Sequence, residues 1–336
     1  MTDITHDVSL TSAEIANLWT QYINDSMAIC TLNYYLKDVE DKDIKEILTF
    51  ALNLSKSHLE KIKLFLKKEN YPVPMGFNEN DVNLNAPRLF SDTFMLVYMH
   101  IMTIHGMTGY AGALSTSIRK DQVEYFVKCN SETMELYQKV IECLTLKGIV
   151  SRPSTIYPPE RPSIIEKQSF LTGWFGNKRP LNAIEASGVF FNIKKDLAKI
   201  VLEIAFSQVA ISKEVRDFIK RGEKICDEHF RVFNDLLEES NLATPKRYDA
   251  EVTNSTVSPF SEKLMVYHIV SLISSAIGYY GAAFALSQRR DLAAKYALLI
   301  ADIAKYAEDG ANLMIDKKWM EQPPTFPDRE ELAKNK

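Results

Sequence analysis

The sequence predicts an all-α fold: a tandem duplication of a ferritin-like four-helix bundle, with a long crossover between the second and third helices of each repeat. Three observations carry this. Apolar residues recur three to four apart through most of the 336 residues, and the two-residue alternation of strands is nowhere sustained. The chain resembles itself at an offset of 170 to 171 residues. Two long stretches, 93–118 and 264–288, contain no Asp, Glu, Lys or Arg, whereas an ordinary surface helix keeps one polar face.

The repeat is visible residue by residue. At an offset of 171, His58 falls on His229 and Pro74 on Pro245; at 170, Phe90 falls on Phe260, Met95 on Met265, Tyr110 on Tyr280 and Arg119 on Arg289. The division that follows is a first bundle over 1–150, a linker over 151–180 and a second bundle over 181–336.

In the first half, Thr11 opens a helix whose apolar face is Ile15, Trp19, Ile23, Met27, Cys30 and Tyr34. Thr11 with Glu14 forms a capping box and Leu10 with Ile15 the accompanying staple. The second helix begins at Asp41 or Lys42 and carries the stripe Ile44, Ile47, Ala51, Leu54, His58, Ile62 and Phe65. Prolines, a glycine and asparagines over 70–87 mark a crossover loop. The uncharged helix follows, and Asp121 is expected to cap the fourth, which ends at Gly148. The second half repeats the order over 184–208, 212–240, 261–288 and 291–314, with Ser212 and Asp291 expected as caps. The linker holds five prolines and an aromatic knot of Phe170, Trp174 and Phe175, which is expected to plug a bundle end because it is too apolar to leave in water.

The uncharged helices meet the roughly 20-residue criterion for crossing a membrane. His100 and His105 in one, with His268, Ser271, Ser274 and Ser275 in the other, argue against lipid, where imidazoles are costly. The expectation is lobe–lobe packing through 93–118 and 264–288, or a homo-oligomer interface, with Gly106, Gly109, Gly112, Gly278 and Gly281 letting backbones approach closely. A glycine costs about 1 kcal/mol in a helix, so such a run implies a compensating contact.

Composition narrows function. A net charge of −4 without a basic block excludes a nucleic-acid footprint. Four cysteines without regular spacing suit a reducing interior, and the N-terminus shows no secretory signal, so a cytoplasmic setting is expected. No phosphate loop, nucleotide fingerprint or nucleophile elbow is present. Ferritin-like bundles suggest iron, manganese or zinc, held by a Glu from two helices and an ExxH from the others. His58 and His229 lie on core stripes, but the residues three earlier are Ser55 and Cys226, and neither fourth helix has a histidine. Asp25, Glu132, Glu135 and Glu203 lie off or beside their stripes and are expected in solvent. The remaining metal candidates are His58, His229 and His105, the last if it meets His58 across the bundle; the alternative is a neutral histidine bonded to a carbonyl, Tyr34 or Tyr35. Met95, Met99, Met102 and Met107 offer a soft surface for an apolar ligand.

The segments PVPMGFNENDVNLNAPRLFSD over 72–92 and SFLTGWFGNKRPLNAIE over 169–185, with the duplicated plan, resemble an uncharacterised, spore-coat-like family of endospore-forming bacteria built from one or two ferritin-like bundles. The resemblance implies the fold, a cytoplasmic, forespore or spore setting, and a link to sporulation. It carries no catalytic residue. The reading is a two-lobed helical protein acting by packing or binding, without an expected cofactor; the alternative is a metal-binding protein or oxidoreductase using His58 and His229.

Overall fold

The computed structural model describes residues 8–174 and 178–334. Its long helices are α1 (Ser12–Asp38), α2 (Lys42–Lys68), α3 (Asp92–Ser115), α4 (Lys120–Leu146), α5 (Ala183–Val209), α6 (Lys213–Glu239), α7 (Glu262–Leu286) and α8 (Arg290–Asp316). A short α9 (Arg329–Lys334) follows. The fold is all-α and duplicated: each half contributes two helices, a long crossover and two helices. Within a half, the main packing pairs are α1 with α2 and α3 with α4, then α5 with α6 and α7 with α8.

Local chemistry sets the helix starts. Thr11 and Glu14 form the capping box at α1, and Asn182 with Glu185 forms its counterpart at α5. Asp41, Ser91, Ser212 and Ser261 cap α2, α3, α6 and α7. The expected caps of the fourth helices are displaced. Arg119 and Arg289 occupy those positions without a side-chain cap, and each guanidinium instead forks onto Asp121 or Asp291 two residues on. The orphaned backbone is met from elsewhere: Glu14 accepts from the amides of Ile118 and Arg119, and Glu185 from those of Gln288 and Arg289.

The crossovers clasp each other. Antiparallel bridges join Val82 to Phe260 and Phe90 to Val252. Ser91, the cap of α3, donates its hydroxyl to Glu251 at 2.5 Å, and Ser261, the cap of α7, donates to Asp81 at 2.6 Å. The clasp is reciprocal: each half's crossover supplies the acid that holds the other half's serine.

The helix that is most thoroughly buried is α5, whose inward residues include Lys195, Asp196, Lys199 and Glu203. It packs on α6, α7 and α3. The uncharged helices are covered only over their N-terminal halves. Beyond Thr103 in α3 and Ile273 in α7, most residues are half-buried or exposed, although α7 is long and apolar enough by length and composition to cross a membrane. The expected close approach is found at Gly106, where a Cβ would lie 3.1 Å from the Thr133 methyl of α4, but not at Gly109, Gly112, Gly278 or Gly281, where it would meet no atom within 4 Å. Within one chain, absence of charge therefore does not mark the C-terminal halves of these helices as enclosed. In the linker, Trp174 is 56% exposed rather than plugged into a bundle end, and Phe175 lies outside the described residues. Arg179 stacks on Phe170, its guanidinium carbon 4.0 Å from the ring centre.

Candidate functional site

In each half, the four helices contribute one polar residue apiece to a cluster around a histidine. The first half gathers Asp25, His58, Tyr110 and Glu132; the second gathers Asp196, His229, Tyr280 and Asp302, each at the repeat offset. His58 Nε2 lies 3.1 Å from Glu132 Oε2, and its Nδ1 lies 3.5 Å from Asp25 Oδ2 and 3.4 Å from the Tyr110 hydroxyl. His229 Nε2 lies 3.2 Å from Asp302 Oδ2, its Nδ1 3.2 Å from the Tyr280 hydroxyl, and that hydroxyl donates to Asp196 Oδ2 at 2.8 Å. The expectation that Asp25, Glu132 and Glu203 are solvated is therefore corrected. Asp25 and Glu203 are buried and Glu132 is half-buried; only Glu135 of that set is exposed. A stripe of apolar residues defines the middle of a buried face, and these carboxylates sit on its flank, still inside the bundle.

The two histidines differ in charge. Burial disfavours the imidazolium of His58, but Asp25 and Cys129 beside it prevail and push its pKa up to about 11. Burial prevails at His229 and lowers it, because the first carboxylate it meets, Asp302, is half in solvent. Burial also raises the Asp196 carboxyl to about 7.

The other histidines stand apart. His105 does not join His58; its ring stacks on Tyr279 of the second half at 5.5 Å, and burial with Lys195 nearby lowers it to about 3. Tyr34 donates to the carbonyl of Pro87 and does not reach His58. The tyrosines that matter are Tyr110 and Tyr280, marked in the sequence only as landmarks of the repeat. Among the described residues no group of three or more His, Cys, Asp and Glu is arranged to hold a metal ion. The geometry gives the reason at His58: its two carboxylates face opposite ring nitrogens, so they do not converge on one point.

Beside the Asp25–His58 pair lies a cavity of about 440 Å3. Its walls are mostly apolar, with Leu32, Met99, Met102 and Leu136 among them, and Gln21, Asp25, Ser55 and His58 supply polar groups. It interrupts the packing of the first half: Leu18, Ile62, Phe65 and Phe126 form a separate apolar cluster at one end, while Leu32, Met99 and Leu136 belong to the main core that runs on into the second half. Thr20, Asn24 and Gly109 line the cavity and are exposed, which places its mouth between α1 and α3. Of the buried acceptors in it, Gln21 Oε1 has no hydrogen-bond donor, and Asp25 Oδ2 has only the long 3.5 Å approach of His58 Nδ1.

At the equivalent place in the second half, Ala28 is replaced by Lys199, Leu32 by Glu203, Ser55 by Cys226 and Leu136 by Tyr306. These longer side chains occupy the volume. Lys199 Nζ pairs with Glu203 and lies 3.3 Å from Cys226 Sγ, and Tyr306 donates to the carbonyl of Phe218 at 3.0 Å. Gly222 stands where the first half has Ala51, because a Cβ there would collide with Glu203 and Tyr306. Burial pushes Glu203 up to about 7 against the pull of Lys199. Spacing alone could have flagged this pair, since Lys199 and Glu203 are one turn apart on a single helix.

The chain belongs to the family of proteins of unknown function designated DUF3231, whose profile matches it twice, over residues 1–161 and 169–332. A solved structure from Bacillus halodurans C-125 with a provisional spore-coat designation is similar at 17% identity and a TM-score of 0.39, covering 47% of this chain and 98% of that one. No curated protein matches.

Proposed function

We propose that this chain is a binding protein that seats one small, largely apolar ligand in the first-half cavity, and that the second half is its filled, structural counterpart. The observation that carries the reading is the contrast at equivalent positions: a cavity of about 440 Å3 beside Asp25 and His58, against the buried Lys199, Glu203 and Tyr306 of the other half. Ligand sites are concave, mostly apolar and fixed by a few polar groups. An open, largely apolar chamber of this size is the kind of space a small ligand fills. Lobe–lobe packing through 93–118 and 264–288 is part of the proposal; the Tyr98 hydroxyl 3.3 Å from His268 Nε2 and the Tyr279–Thr108 bond at 3.1 Å support it.

The reading requires neither a metal nor a redox cofactor, since both ring nitrogens of His58 already face carboxylates. A role in sporulation, within the cytoplasm, forespore or spore, belongs to the same proposal; the segments at 72–92 and 169–185 support it, and expression confined to sporulating cells is the expected result.

Binding is tested by titrating the full chain with short-chain alcohols and following the melting temperature. One saturable site is expected, and the double substitution Ala28→Lys, Leu32→Glu, which transplants the second-half pair, should weaken it at least tenfold. An unchanged response in that variant sinks the reading.

A further inference from the structure

Resting on the binding reading above, we propose that the ligand is a protonated primary alkylamine, its ammonium seated on Asp25 and Gln21 and its chain laid along Leu32, Met99, Met102 and Leu136. Of the acceptors on the cavity wall, Gln21 Oε1 lacks a donor and Asp25 Oδ2 has only the long 3.5 Å approach of His58 Nδ1; both residues are only 6% exposed. A buried acceptor left without a donor is costly, so the missing partner is a donor. Gln21 and Asp25 are one turn apart on α1, which lets a single ammonium, with its three N–H groups, reach both.

The second half shows what such a donor looks like when it is built in. Lys199, in the place of Ala28, runs a four-carbon chain into the equivalent space and ends in an ammonium held by Glu203 and Cys226. That ammonium stands where the first half has Leu32 and Ser55; at Asn192, the counterpart of Gln21, the built-in amine is Lys195, which donates to Oδ1 at 2.7 Å, and a free alkylamine would supply such a donor without a tether. His58 already faces Asp25 and Lys128 lies 3.5 Å from Glu132, so the charges balance and the preference for an ammonium rests on its N–H donors.

The test is calorimetric titration of the full chain at neutral pH with octylamine, octanol, octanoate and octyltrimethylammonium. Octylamine should bind at least tenfold more tightly than octanol, and octanoate most weakly. Octyltrimethylammonium, which carries the charge but no N–H, should show no advantage over octanol. Asp25→Asn should abolish the amine preference while octanol still binds; Gln21→Leu should reduce it and serves if the first variant does not fold. Octanol equal to or tighter than octylamine, or an amine preference unchanged in these variants, overturns the amine assignment and leaves the cavity reading standing. No binding of any of the four overturns both.

Discussion

The two halves share a plan and differ in what fills it. Around His58 the first half leaves space and keeps the imidazole charged between two carboxylates; around His229 the second half packs Lys199, Glu203 and Tyr306 into that space and the imidazole is driven toward neutrality. The backbone and the Asp–His–Tyr constellation are common to both, so the difference lies in a handful of wall residues. The cavity here is an omission: small side chains at Ala28 and Ser55, where the other copy has long or reactive ones.

The largest disturbance should come from Lys199→Ala, which imposes the first-half residue on the second. It strips Glu203 of its buried counter-charge, and breaking one side of such a pair costs about 3–5 kcal/mol; urea denaturation measures it. Adding Glu203→Leu should restore part of the loss, because the uncompensated acid is then gone. Next is Gly222→Ala, which again only copies the other half. The methyl group would strike Glu203 and Tyr306, and overpacking of this kind costs about 1–3 kcal/mol. The reverse change, Ala51→Gly, meets no such contact and should cost about 0.5–1 kcal/mol from helix propensity alone, so the asymmetry of the two unfolding free energies is the measurement.

The histidines give a comparison in pH. The folded pKa of His58 is raised from the ordinary 6.5 to about 11, so its contribution to stability is complete below about 6.5 and fades as pH rises toward 11. That of His229 is lowered, so its contribution is present above the ordinary value and is lost as pH falls through the folded one. The destabilisation caused by His58→Gln should therefore shrink between pH 7 and pH 10, whereas that of His229→Gln should shrink on acidification. Parallel pH profiles for the two variants would break the comparison. The smallest effect concerns the caps: Thr11→Ala should cost about 1 kcal/mol, with Asn182→Ala similar, read as melting-temperature shifts.

Much of this architecture was legible in the chain. The duplication was visible as paired landmarks such as Tyr110 and Tyr280, the capping box at Thr11 as a spacing of three, and the crossovers as clusters of proline and asparagine. The site was less so. Asp25 was passed over because helical periodicity locates the middle of an apolar face, while a residue on its flank is buried only by what a third and fourth helix bring against it. Tyr110 lay in a run without charge and read as core. The cavity left no mark in either half alone; it is visible only as a difference between aligned positions, Ala28 against Lys199 and Leu136 against Tyr306. The uncharged helices misled in the other direction, since absence of charge does not distinguish an enclosed helix from one whose far end is small and exposed.

The reciprocal serine–acid clasp between the crossovers has a consequence for stoichiometry. In an association of two identical single-length chains, every substitution would appear on both sides, and a lysine that closed one chamber would close its twin. Fusing the copies into one polypeptide breaks that constraint. One side can harden into a brace while the other stays hollow, so that each molecule keeps a single open chamber instead of two.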